Sequence, residues 1–162
     1  MSLPIGDRVT FLFSDIEGST RLAQRLEPER WAALLREHDA IVDAAVKAAG
    51  GVVVKHEGDG SFAAFPEPPG AVEAAVAIGR TVSSLSTVDG QVLRLRMGLH
   101  TGTGRTTDDG RDYVGIDVHY AARIAAAANG GQIAVSETTR EGVGGMAPDR
   151  TQLVSMGPRR LK

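Results

Sequence analysis

Two aspartates in this chain stand where a strand pattern gives way to a glycine-containing turn. Asp15 follows the mostly apolar run Val9-Thr10-Phe11-Leu12-Phe13-Ser14, and Asp59 lies in His56-Glu57-Gly58-Asp59-Gly60, between two short apolar stretches. Carboxylates are ligands for hard cations, and magnesium takes few of them from protein, leaving the rest of its octahedron to water and phosphate oxygens. After Asp15 come Ile16-Glu17 and then Gly18-Ser19-Thr20, where a helical pattern opens. The first N–H groups of a helix lack internal partners and, with the helix dipole, can receive a phosphate. A carboxylate pair beside a phosphate cradle points to a nucleoside triphosphate. Taken singly, each feature has an ordinary reading: an aspartate between glycines is a turn residue, and Ser19 or Thr20 is an N-cap.

The elements that must position these residues follow from periodicity. Val9 to Ser14 reads as a buried strand and Ser19 to Leu26 as a short helix that Pro28 interrupts or restarts. From Glu29 to Ala49, Trp31, Leu34, Leu35, Ile41, Val42, Ala45 and Val46 recur at helical spacing before the Gly50-Gly51 stop. Val52 to Lys55 and Ser61 to Phe65 read as a hairpin with Asp59 at its tip. An Ala/Val-rich helix over Ala71 to Leu85 follows, then a strand over Val92 to Gly98 in which apolar residues alternate with arginines. Asp108 to Gly110 mark a loop, Val114 to Ala128 a helix and Gln132 to Ser136 a further strand. This order predicts an α+β fold, a mixed or antiparallel sheet covered by helices.

Composition removes several classes of function. At 162 residues a single domain is expected, burying roughly 70% of its unfolded surface. With 23% charged residues and a net charge of -2, the chain carries neither a basic nucleic-acid footprint nor a polybasic membrane patch. It has no cysteine, hence no disulfide, thiolate metal site or cysteine nucleophile. No apolar run of membrane-spanning length and no signal-peptide pattern is present, so a cytoplasmic location is expected. His38 falls on the apolar face of the long helix, His56 and His100 show no zinc-ligand pattern, and Trp31 is read as core or dimer packing.

A third stretch joins the first two. Asp-Tyr-Val-Gly-Ile-Asp-Val-His-Tyr-Ala-Ala-Arg, Asp112 to Arg123, together with Phe-Ser-Asp-Ile-Glu-Gly-Ser-Thr, Lys-His-Glu-Gly-Asp-Gly and Arg-Met-Gly-Leu-His-Thr-Gly from Arg96 to Gly102, resembles the catalytic domain of class III nucleotidyl cyclases. The motifs occur in family order from Val9 to about Ser136. The resemblance implies a ferredoxin-like sheet covered by helices, with 1–162 as one cyclase domain whose last hairpin is truncated. It implies that Asp15, Asp59 and the main-chain carbonyl of Ile16 hold two Mg2+ or Mn2+ ions per site. It places the backbone from Glu17 through Gly18 and Ser19 to Thr20 over the triphosphate. Lys55 and Asp112 match the residues that read the purine, and Arg123 the arginine that stabilises the transition state. The family's sites lie at a head-to-tail homodimer interface, with the metal aspartates from one protomer and the base-reading and transition-state residues from the other.

The residue types agree with ATP as substrate. Adenine offers an exocyclic amino donor and a ring acceptor, which a carboxylate at Asp112 and an ammonium at Lys55 complement, whereas guanine inverts the pattern. The implied reaction is attack of the ribose 3′-oxygen on the α-phosphorus, giving 3′,5′-cyclic AMP and pyrophosphate. Two departures are evident. His119 stands where the family commonly has a ribose-orienting asparagine, and a neutral imidazole keeps one donor on a larger ring. The chain reaches Gly157-Pro158-Arg159-Arg160-Leu161-Lys162 without the family's triphosphate lysine. The alternatives are a guanylate cyclase and a weakly active nucleotide-binding dimerisation module. An aspartyl-phosphate phosphatase would need an aspartate where Glu17 stands, and a parallel β-α-β order, which is not expected here.

Overall fold

The computed structural model describes residues 2–85, 90 and 92–162. The elements are β1 (Gly6–Ile16), α1 (Ser19–Arg25), α2 (Pro28–Ala48), β2 (Val52–Glu57), β3 (Gly60–Phe65) and α3 (Pro68–Ser83), followed by β4 (Leu95–Thr106), β5 (Tyr113–Val114), α4 (Ile116–Ala127), β6 (Ile133–Val135) and α5 (Glu137–Val143). The strands form one sheet in the order β2-β3-β1-β4-β5, and β6 also pairs with β4. Among the described residues all pairs are antiparallel except β4 with β6, which makes the sheet mixed.

Strand alternation divides the side chains between two layers. Leu12 and Ile16 of β1, Ala63 and Phe65 of β3, and Leu95, Met97 and Leu99 of β4 pack with Leu34, Val42 and Val46 of α2 and Ala71, Ala75 and Ile78 of α3. The intervening residues Val9 and Phe11, with Phe62, Ala64, Tyr113 and Ala121, build a smaller core on the opposite face. Burying one Phe or Leu side chain contributes about 1.5–3 kcal/mol, so the larger cluster dominates stability. The turn after α2 is tight for a steric reason: Gly50 is left-handed at φ 78°, and a Cβ on Gly51 would collide with the Phe65 ring.

The α+β architecture and the hairpin over β2 and β3 agree with the sequence reading; β1 and α3 each begin three residues earlier than expected, and larger differences follow. β4 begins at Leu95 rather than Val92 and runs on through His100-Thr101-Gly102-Thr103-Gly104 to Thr106, because it pairs along β1 from Ile16↔Leu95 to Gly6↔Gly104. Two of its polar residues, His100 and Thr101, are buried with partners: the Thr10 and Thr101 hydroxyls lie 2.9 Å apart. The expected helix start at Val114 belongs instead to β5, and Gly115 at φ 120° separates it from α4. α5, short and polar, was not expected; Ser136 caps it. β4, α4 and β6 also form a parallel β-α-β unit, against the expectation that none is present, yet β1, which carries Asp15, is antiparallel to both of its neighbours. Among the described residues no helix is long and apolar enough to cross a membrane.

Candidate active site

The C-terminal end of β1 carries Asp15 on the face away from α2 and α3. Its register partner on β4 is Arg96. The guanidinium grips the carboxylate as a fork, Nε donating to Oδ1 and Nη2 to Oδ2, both at 2.7 Å. The Asp15 hydrogen bonds hold Arg96 above its ordinary pKa in spite of burial, and the charges of Glu17 and Asp59 act in the same direction. Three carboxylates therefore bear on one guanidinium. Asp59 arrives from the β2–β3 turn, where Gly58 is left-handed at φ 59°, and its Oδ2 accepts from the Ile16 N–H at 3.0 Å. Asp59, far from Asp15 and Ile16 in sequence, thus meets them at one corner of the sheet.

A second pair assembles on the same face. Lys55 Nζ donates to Asp112 Oδ2 at 2.7 Å and lies 3.5 Å from Glu57. Asp112 reaches Lys55 because its loop folds back over an aromatic floor: the Tyr113 ring meets Phe11 edge-on at 5.0 Å, and Phe62 stacks on Phe13 at 4.2 Å. The Tyr113 hydroxyl donates to the Pro4 carbonyl at 2.6 Å, and burial pushes the phenol's pKa well up. The Tyr113 N–H donates to Asp112 Oδ1 at 2.8 Å. The Lys55 bond, helped by that amide, lowers the Asp112 pKa against the effect of burial, and the same ion pair raises that of Lys55.

Between the two pairs lies a cleft of about 260 Å3 bordered by Asp15, Lys55, Phe13 and Phe62, with Ala122, Ala125 and Ala126 of α4 on its other wall. His119 and Arg123 are exposed on α4, four residues apart and hence on one stripe, and neither has a hydrogen bond or ion pair among the described residues. The structure does not join them to the Asp15 corner within one chain. Gly18 caps α1 in the left-handed conformation with no side-chain cap bond, leaving Ser19 half-buried and Thr20 exposed. Beside that turn a cavity of about 270 Å3 is lined by Glu17, Gly18, Arg21, Leu22, Arg25 and Arg94, among others.

Among the described residues no group of three or more histidine, cysteine or acidic side chains is placed to hold a metal. Two carboxylates and a main-chain carbonyl are nevertheless the sparse oxygen set a hard cation accepts alongside phosphate, so Asp15, Asp59 and Ile16 are the residues of this corner that could hold one. The sequence reading missed Arg96. Its signal was the arginine alternation before Gly98, which puts Arg94 and Arg96 on the parity that faces Asp15 only once the β1–β4 register is known. His38 is fully buried: its Nδ1 lies 2.9 Å from Asp39 Oδ1, and its Nε2 has no hydrogen-bond partner among the described residues. Trp31 packs partly buried against the larger core.

The family model of the adenylate and guanylate cyclase catalytic domain matches residues 3–152. An uncharacterised protein of Mycobacterium tuberculosis is 37% identical over 162 residues, covering 99% of this chain and 53% of its own length, so the chain spans about half of that relative. An adenylate cyclase of Podospora anserina is 30% identical over 79% of this chain and 7% of its own. Among solved structures, the monomeric guanylyl cyclase domain of the RhoGC fusion protein from Blastocladiella emersonii superposes with a TM-score of 0.80 at 25% identity, covering 88% of each chain. With the motifs of β1, β2 and α4 bordering one cleft and the match running through nearly all of the chain, the protein belongs to the adenylate and guanylate cyclase catalytic domain family.

Proposed function

We propose that this domain is an adenylate cyclase, converting ATP to 3′,5′-cyclic AMP and pyrophosphate at the interface of a head-to-tail homodimer. The observation that carries the choice of ATP is the Lys55–Asp112 pair, which stands assembled at 2.7 Å before any base arrives. An ammonium donor beside a carboxylate acceptor complements the adenine edge, and guanine would set like groups against both. Adenylate cyclases of Podospora anserina and Lachancea kluyveri, at 30% and 31% identity, support this reading. The guanylyl cyclase domain at 25% identity supports the second reading, a guanylate cyclase.

In the proposed mechanism Asp15, Asp59 and the Ile16 carbonyl would hold Mg2+ or Mn2+, which when bound lowers the pKa of the 3′-hydroxyl and shields the phosphates. The turn from Gly18 to Thr20 faces the triphosphate with N–H groups. The 3′-oxygen bonds to the α-phosphorus as the bond to the bridging oxygen breaks and pyrophosphate leaves. Each Asp15 oxygen accepts one bond from Arg96 and keeps a second lone pair, so the 3′-proton passes to Asp15, to water or to a phosphate oxygen. Arg123 of the second protomer offsets the charge gathering on the α-phosphoryl group, and His119 on the same stripe donates to the ribose. The test is incubation of purified protein with ATP or GTP and each metal, with detection of the cyclic product. Cyclic AMP in excess is expected. Cyclic GMP in excess would select the second reading, and no product with either nucleotide would overturn both.

A further inference from the structure

Resting on the cyclase reading above, we infer that Asp117 and His100 are positioning residues that set the rotation and axial position of α4, and thereby aim His119 and Arg123. The face that α4 turns to the sheet is built from Ala121, Ile124 and Ala125, with Ala128 just past its end, all buried. A surface so rich in alanine has few ridges to lock into a groove, so apolar packing alone leaves the helix free to rotate or slide. Two glycines of β4 receive it. A Cβ on Gly98 would collide with the Ala125 backbone, and one on Gly102 would collide with the Asp117 carboxyl. Asp117 and Ala125 are separated by about 12 Å along a helix. Gly98 and Gly102 are separated by about 13 Å along a strand. The spacings match, so α4 lies along β4 in the reverse direction and touches its backbone at both points.

At the Asp117 end the contact is polar and directional. Asp117 Oδ1 accepts from His100 Nε2 at 2.9 Å, and Oδ2 accepts from the Thr103 N–H at 2.8 Å. His100, only 7% exposed, is itself held by Ser136 Oγ, 2.8 Å from Nδ1, at the N-cap of α5. One turn further along α4, the Tyr120 ring meets the imidazole edge-on at 4.7 Å. Burial disfavours the Asp117 charge, yet the bonds from His100 and Thr103 leave its pKa below the ordinary value. A helix gripped at Asp117 and Tyr120 has one azimuth. At 100° per residue, His119 and Arg123 then lie about 160° from the buried Ala121 line and project away from the sheet. Their exposure in the structure agrees with that placement.

The experiment compares Asp117→Ala with Asp117→Asn in the full chain, since an amide can still accept from Thr103 and donate to a His100 tautomer. Asp117→Ala is expected to lower kcat at least tenfold while KM for ATP stays within twofold, and Asp117→Asn to recover most of the loss. Amide exchange without nucleotide should quicken at residues 116–120 in Asp117→Ala, with β1 and α2 still protected. A kcat within twofold of wild type, an asparagine variant no better than alanine, or unchanged exchange at 116–120 would overturn the inference. Should Asp117→Ala fail to fold, His100→Ala takes its place as the variant expected to lose kcat and to quicken exchange at 116–120, with Asp117→Asn again the variant expected to keep activity. If the wild-type protein forms no cyclic nucleotide, the proposed activity fails while the exchange result still decides the role of Asp117.

Discussion

Lys55 and Asp112 each have a partner before substrate binds, and that sets what a change at either should do. Replacing Lys55 with Glu and Asp112 with Ser should depress ATP cyclisation and raise the share of GTP turned over, because each donor or acceptor left mismatched beneath a bound base costs about 1–3 kcal/mol. Parallel assays with both nucleotides read this, and an unchanged ratio would remove these residues from base recognition. The pair also predicts a pH profile for nucleotide preference. Asp112 titrates below its ordinary value, so its part of the interaction is complete above that value and is lost as pH falls through the lowered one. Lys55 titrates above its ordinary value, so its part is complete below that value and is lost as pH rises through the raised one. Preference for ATP should therefore be flat across neutral pH and fall away only at the acid and alkaline ends. Both side chains are more than a third exposed, so solvent screening keeps their contribution to fold stability small.

Elements obey a different constraint, the closeness of α4 to β4. Gly98→Ala should force the helix off the strand, because the new Cβ would meet the Ala125 backbone rather than a movable side-chain end. Overpacking of this kind costs about 1–3 kcal/mol. Thermal denaturation should record a loss of roughly 2–4 °C per kcal/mol in a domain of this size. An unchanged melting temperature would mean that α4 shifts freely. This contact also marks the limit of what the sequence alone discloses. β1, α2 and the β2–β3 hairpin are legible because their apolar periods and turn residues are local. The second half of β4 is not, since His100-Thr101-Gly102-Thr103-Gly104 has neither an apolar period nor high strand propensity, and it is held extended by β1 across some ninety residues. Asp15 and Asp59 are legible as turn-end carboxylates, whereas Arg96 and Asp117 acquire meaning only from register and from glycines that leave room beside them.

For the whole molecule, the proposed dimer makes a prediction by counting. If Asp59 serves one protomer's corner and Arg123 is lent by the other, Asp59→Ala and Arg123→Ala homodimers should each be nearly inactive. Mixed together, they form a heterodimer in which one site collects both lesions and the other has neither. Activity should return to at most about half the wild-type rate per heterodimer, since a two-fold dimer has two equivalent sites. Mixtures that stay inactive despite verified subunit exchange would place both residues in one protomer's site. The fork from Arg96 to Asp15 has a consequence of another kind, for the order in which folding and ion uptake occur. With its own cation seated among Asp15, Glu17 and Asp59, the chain carries a stand-in for the inorganic charge and can complete its fold before any ion arrives. Exhaustive chelation should then abolish turnover yet move the melting temperature by no more than about 2 °C, well under the shift expected when a metal is part of the folding free energy. Arg96→Ala should reverse this independence: with the stand-in gone the acidic corner repels itself, and added Mn2+ should raise the melting temperature of that variant more than that of the wild type.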